Sequence, residues 1–333
     1  MKRTPRTALP NARMTPRYAG ISTFCRYPRL DDVSDENRPL DWIIYGAPYD
    51  SGVTYRPGAR FGPRAVREES QYVKPYHLEH EFMLTAAMSI CDAGDAPVSA
   101  YNPTENADTV TDFATALPDV GRAKLFMVGG DHSNTLANLR ATYIREKEPT
   151  GGLAMIHFDS HLDTVDSIMG ERYSHASPFI RAIEEGILDP KRMISVGIKG
   201  PLNSPADLEY ARTEGIELVT HGRWLREGRA PIDAFLDRLG DAPCYLTFDI
   251  DCVDPVFAPG TGTPAVGGFT SSEALELLRG LVREGSAPPN IVGADVVEVL
   301  PQRDVAGCTA LLAAHVMFEI LCVSGLRTRA ARG

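Results

Sequence analysis

Asp159, His161 and Asp163 stand at alternate positions in His157-Phe158-Asp159-Ser160-His161-Leu162-Asp163-Thr164, directly after an apolar run. Asp249 and Asp251 repeat the spacing in Thr247-Phe248-Asp249-Ile250-Asp251-Cys252-Val253-Asp254-Pro255. Strand side chains alternate faces, so residues two apart point the same way and each set would converge on one point. Carboxylates gathered in one place repel and lose hydration, and a divalent cation removes both costs. His132, in Gly129-Gly130-Asp131-His132-Ser133, adds a second imidazole beyond a glycine pair that permits a tight turn. One Asp-x-Asp alone reads equally as a turn or cap, and one histidine alone as a core residue. Together the groups exceed what a tetrahedral zinc needs and suit two divalent ions with shared carboxylates, in geometry of the manganese type. Asp131 and Asp254 are read as supports or caps.

These groups need strands to carry them. Apolar runs predict strands at residues 41–46, 124–128, 153–158, 193–198, 216–219, 244–248 and 291–296. Helical stretches lie between most of them, at 133–146 and 271–284 for example, and a further helix starts at Pro63 after a glycine- and proline-rich loop. Strand alternating with helix implies an α/β fold, a mostly parallel sheet covered on both faces. The polar clusters fall at the C-terminal ends of the strands, where open parallel sheets place their sites. Residues 1–38 are rich in Arg, Pro and Thr and are read as an arm, either loose or docked on a neighbouring subunit. Residues 39–333 are read as one domain.

The net charge of −10 argues against nucleic-acid binding. Six scattered cysteines with no CxxC pair fit reduced thiols in a cytoplasmic protein. No apolar run is read as reaching the roughly 20 residues a membrane helix needs, so no membrane partner is expected.

Taken together, Gly129 to Ser133, His157 to Thr164 and Phe248 to Pro255 resemble the ureohydrolase family of arginases and agmatinases. Tyr55 to Pro63 and Phe257 to Pro264 resemble its agmatinase-like branch. The resemblance implies a three-layer α/β/α sandwich with a dinuclear manganese site that hydrolyses a small-molecule guanidino compound to urea and an amine. It implies one metal on His132, Asp159, Asp163 and Asp249, and another on Asp159, His161, Asp249 and Asp251. Asp163 would also orient the metal-bound hydroxide. His175 matches the family's proton-shuttling histidine and Glu298 its guanidinium-binding glutamate. A homo-oligomer, trimer or hexamer, is implied as well.

Departures from the pattern bear on substrate and metal. Arg303 stands where an aromatic is common. At the pocket rim it would contact substrate, repelling a distal ammonium and favouring a guanidino acid such as guanidinobutyrate or guanidinopropionate; the alternative is a solvated loop arginine. Ser160 and Leu162 replace commoner residues between the ligands, and alternation points them away from the metals. Ala176-Ser177 replace Gly-Thr after His175. Guanidine or an alkylguanidine remains open as substrate, and nickel as metal. A deacetylase-like metal hydrolase and a silent subunit are the competing readings. The complete set His132, Asp159, His161, Asp163, Asp249 and Asp251 argues against both.

Overall fold

The computed structural model describes residues 6–331. Its strands are β1 (Trp42–Ala47), β2 (Tyr76–His77), β3 (Phe82–Met83), β4 (Ile90–Asp95), β5 (Lys124–Gly129), β6 (Leu153–Phe158), β7 (Leu188–Ile198), β8 (Glu217–Thr220), β9 (Pro243–Asp249) and β10 (Asn290–Val297). The two-residue strands β2 and β3 pair with each other. The other eight form one sheet, in the order β4-β1-β5-β10-β9-β6-β7-β8, and every pairing is parallel. The central strands read as nearly continuous apolar runs because both their faces are covered. Trp42, Ile44, Phe126, Val128, Ile156 and Phe248 face one layer, which holds the helices Gly62–Glu69, Ser271–Arg279 and Cys308–Ala331. Their neighbours Ile43, Tyr45, Leu125 and Met127 face the helices Pro103–Ala116 and Asn134–Arg145 on the other side. Leu153, Met155 and Met193 extend that second layer against Phe179. The result is the three-layer α/β/α sandwich expected from the sequence. Full burial of each large apolar side chain contributes about 1.5–3 kcal/mol.

Four expectations are corrected. Edge strand β4 was missed, because Ile90-Cys91-Asp92 offers no apolar run; Arg67 takes up its acid, donating from Nε to Asp92 Oδ2 at 2.9 Å. Strand β7 begins ahead of the expected start, at Leu188, which pairs with Leu153 before a polar stretch where the register shifts. The helix at Ser271, started by a capping box between Thr270 and Glu273, stops at Arg279 rather than 284 because Gly280 follows it. Cys308–Ala330 is long and apolar enough to cross a membrane by length and composition, contrary to the expected absence of such a run. His315 and Glu319 interrupt the run in the sequence. Buried for 89% of its apolar window, it is a core helix of the sandwich.

The N-terminal stretch packs partly on its own chain. Thr7 donates from its amide to Thr85 O at 2.9 Å, and Phe24 and Tyr27 are buried in the main core. Met14, Tyr18 and Ile21 remain exposed.

Candidate metal centre

Four adjacent central strands, β5, β10, β9 and β6, deliver the functional side chains from their C-terminal ends. Past β5 the chain turns at Gly130, where an added Cβ would lie 1.7 Å from Tyr49 O; only glycine permits that approach, which brings His132 inward. Asp131 anchors the turn, accepting from Gly52 N at 2.9 Å and from Ser133 N at 3.1 Å. Asp159 directly follows β6, Asp249 ends β9, and Glu298 directly follows β10. Asp163 and Glu298 hold left-handed backbone, with φ of 52° and 63°, a costly state for non-glycine residues that gathers at functional sites. Asp254 secures the neighbouring loop, accepting from Val256 N at 2.9 Å and Gly267 N at 2.7 Å.

His132 Nδ1 lies 2.9 Å from Asp163 Oδ2, 3.1 Å from Asp159 Oδ2 and 3.3 Å from Asp249 Oδ2. Despite these distances Nδ1 is buried without a hydrogen bond: the four atoms aim at a shared centre, not at each other. The ring's other nitrogen, Nε2, lies 2.9 Å from Thr247 Oγ1. That contact leaves Nδ1 as the donor atom for a metal. A second group forms beside the first. His161 Nδ1 is 3.1 Å from Asp251 Oδ2 and 3.4 Å from Asp159 Oδ1. Asp159 thus turns one oxygen to each group. Only Oδ2 of Asp249 faces the cluster, since Oδ1 accepts from Asp251 N at 2.8 Å. The sequence candidates His132, Asp159, His161, Asp163, Asp249 and Asp251 are therefore together in space.

The charges are out of balance without a cation. Burial, then Asp251 and Asp159, push the Asp249 carboxyl well above its usual range, and burial with Asp159 raises Asp163. Burial opposes a charged Asp159, but the imidazoles of His132, His157 and His161 beside it outweigh it and hold that carboxyl well below its usual range. An oxygen-rich donor set with an unpartnered imidazole nitrogen fits divalent metal ions.

Sequence reading gave no role to His157. It sits two residues before Asp159 on β6, buried, with Nε2 2.8 Å from Asp159 Oδ2 and Nδ1 3.0 Å from Ser195 Oγ. His132, His157 and Asp159 are close enough to form a metal-binding group by distance. Both nitrogens of His157 are taken, however, so it orients the Asp159 carboxylate, whereas His132 Nδ1 is open. Its spacing from Asp159, the same alternation used for the others, was the signal.

A cavity of about 370 Å³ opens onto the cluster, lined by His161, Asp163, His175 and Asp249 on the polar side and by Leu162, Val165, Ile168 and Leu202 among its apolar walls. Leu162 does shape the wall next to the ligands. His175 Nδ1 lies 3.0 Å from Glu298 Oε1, which also accepts from His132 N at 2.9 Å. Glu298 Oε2 is buried and unpartnered. On the far side of the ring, His175 Nε2 is 2.8 Å from Thr54 Oγ1 and 3.1 Å from Thr54 N. The amide serves the neutral ring and the hydroxyl can accept from the charged one, so both protonation states have a partner. Arg303 is not brought to the site. It ends the short turn Pro301–Arg303, solvent-exposed, and is not among the cavity-lining residues. Leu300 N, donating to Gly260 O at 2.7 Å, pins the start of that turn.

Burial lowers His175, but the Glu298 carboxylate more than reverses this and pushes it up to about 9. A group raised on folding stabilises fully below its unfolded value, about 6.5, and that contribution fades as pH rises through about 9. Denaturation midpoints across this window are expected to fall more steeply with pH for the native protein than for His175→Asn. Parallel curves would show that the imidazole is not held charged.

The family model described as Arginase family matches residues 40–323. Guanidinopropionase of Pseudomonas aeruginosa is 42% identical over 310 residues, 92% of this chain and 93% of that protein. Mitochondrial agmatinase of Gallus gallus is 37% identical over 321 residues, 96% of this chain and 90% of that protein. The solved structure of proclavaminate amidinohydrolase from Streptomyces clavuligerus superposes with a TM-score of 0.84 at 38% identity, covering 94% of this chain and all of that one.

Proposed function

The chain belongs to the arginase family, and from that premise we propose that it is an agmatinase-like, metal-dependent ureohydrolase cleaving a guanidino compound to urea and an amine. The observation that carries the reading is Glu298 Oε2, a buried carboxylate oxygen without a partner, next to the cavity-lining His175. A planar guanidinium is the cation whose hydrogens best match such a carboxylate.

His132, Asp159, Asp163 and Asp249 would hold one ion and Asp159, His161, Asp249 and Asp251 the other, with Asp159 and Asp249 shared. Manganese suits this oxygen-rich set, with nickel as the alternative. Bound there, the ions supply activated water as nucleophile and polarise the carbon it attacks. Glu298 orients the guanidinium over the cluster. Asp163 holds a proton at its carboxylate, and His175 at the cavity wall passes one to the departing nitrogen. The apolar walls exclude water from the substrate's chain. The cavity lining contains Asp207 and, among the described residues, neither lysine nor arginine, which supports a neutral or cationic tail as in agmatine. A guanidino-acid substrate is the second reading, supported by the 42% identity to a guanidinopropionase. A homo-oligomer is proposed, with exposed Met14, Tyr18 and Ile21 as contact residues, and a cytoplasmic setting is supported by six free cysteines.

Urea release is the test, from agmatine, 4-guanidinobutyrate, 3-guanidinopropionate, arginine, guanidine and dimethylguanidine, with protein reconstituted separately with manganese and nickel. Agmatine turnover is the expected result. Turnover of guanidino acids alone would transfer the substrate assignment to the second reading. No urea from any compound with either metal would overturn the function.

A further inference from the structure

Ser160 lies between two ligands and was expected to point away from the metals and leave them unaffected. The structure gives it closer work. Asp251 Oδ1 accepts from Ser160 N at 3.1 Å, and Asp251 O accepts from Ser160 Oγ at 2.7 Å. Lys199, just past β7, donates from Nζ to the same Asp251 O at 2.7 Å and also to Ser160 Oγ. The Lys199 backbone is tied in as well, its N donating to Ser160 O at 3.1 Å. Three neighbouring strand ends, those of β9, β6 and β7, are thus sewn together behind one candidate ligand.

Among the described residues no lysine makes an ion pair with a carboxylate, and this one is held instead by the Asp251 carbonyl and the Ser160 hydroxyl. Its side chain also runs over Gly268, where an added Cβ would sit 2.5 Å from Lys199 Cε. The ammonium is therefore held on a main-chain carbonyl and a hydroxyl by a floor that admits no side chain. Asp251 is gripped from behind at its carbonyl and at Oδ1, which leaves Oδ2 facing His161, with a further hydrogen bond of 3.3 Å from Thr263 Oγ1.

We infer that Ser160 and Lys199 form a positioning pair that fixes Asp251 as a ligand, so that they govern metal affinity at the His161 side of the centre and not at the His132 side. The inference rests on the reading of the cluster as a two-metal centre. None of the contacts around His132 Nδ1 involves either residue. Hydrogen-bond partners that orient ligands typically set metal affinity by about 10–100-fold.

The test is titration of metal-free protein with manganese, followed by bound metal per chain and by electron paramagnetic resonance, which separates a coupled ion pair from a lone ion. Ser160→Ala and Lys199→Met are each expected to weaken one of the two binding steps by about 10–100-fold and leave the other unchanged. At manganese levels where the native protein shows a coupled pair, both variants would show a lone-ion signal. Ser160→Ala retains the amide to Asp251 Oδ1 and carries the test alone if Lys199→Met fails to fold. Two steps of native affinity in Ser160→Ala would overturn the inference, and so would equal weakening of both steps. Failure of the underlying reading is distinguishable, because the native protein itself would then take up no manganese.

Discussion

Asp159→Ala is expected to lower kcat for urea release by on the order of 10³-fold or more, the scale seen when a group that stabilises the reacting centre is removed. Asp159 is the one residue that turns an oxygen to each histidine of the centre, Oδ2 toward His132 and Oδ1 toward His161. Its removal should cost both ions, not one. Stability should fall in both states. Without metal, the variant loses a carboxylate that the neighbouring imidazoles hold well below its usual range, a stabilising group at neutral pH, so it should melt no higher than the metal-free native protein. With manganese, the native melting temperature should rise by ligand linkage while that of the variant stays in place. Melts with chelator and with excess manganese check both states. A variant that still gains stability from manganese would show that Asp159 does not join the two halves.

Glu298→Gln keeps the shape of the side chain and removes its charge. The expected result is a fall in kcat/KM of roughly 10²–10³-fold, consistent with about 2–5 kcal/mol for breaking a buried, hydrogen-bonded charge pair. Manganese content should be native, because Glu298 reaches the centre only through the His132 amide and not through a ligand atom. The pH profile should move too. Glu298 is the main cause that holds His175 near 9 against burial, so the variant should lose the His175 acid at lower pH. Native kcat/KM in the variant would remove Glu298 from substrate binding. Loss of bound manganese would reassign it to the metal centre.

The central strands were legible because Leu125 to Val128, Leu153 to Ile156 and Cys244 to Leu246 are apolar runs, as expected of strands covered on both faces. The convergence of Asp159, His161, Asp163, Asp249 and Asp251 was expected from alternation and is observed, but β6 ends at Phe158 and β9 at Asp249, so the loops past the strand ends are what bring in His161, Asp163 and Asp251. Alternation fails once a strand ends, and the readings beyond that point suffered for it. Ser160 was taken as turned away, yet the chain bends there and its hydroxyl meets the Asp251 carbonyl. Arg303, standing where an aromatic is common, was read as either a rim contact or a solvated loop arginine, and the short turn begun by Pro301 carries it to solvent. His157 was absorbed into an apolar run although it points the same way as Asp159. Edge strand β4 gave no signal because a strand with one open edge needs fewer apolar residues.

The order of the sheet has a consequence for how the protein is made. Strand β10 lies between β5 and β9, although it comes last of the ten in the chain. On a ribosome, the segment carrying His132 and the segment carrying Asp249 would both emerge well before the strand that joins them. Strands β6 and β9 pair directly and carry the four candidate carboxylates, so until residues 290–298 are out what is missing is the strand that sets His132 beside them, and central pairings of this long range form slowly. Completion of the centre would then be a late event of biogenesis, and a chain released short of β10 could gather its carboxylates at the ends of β6 and β9 but could not bring His132 to them.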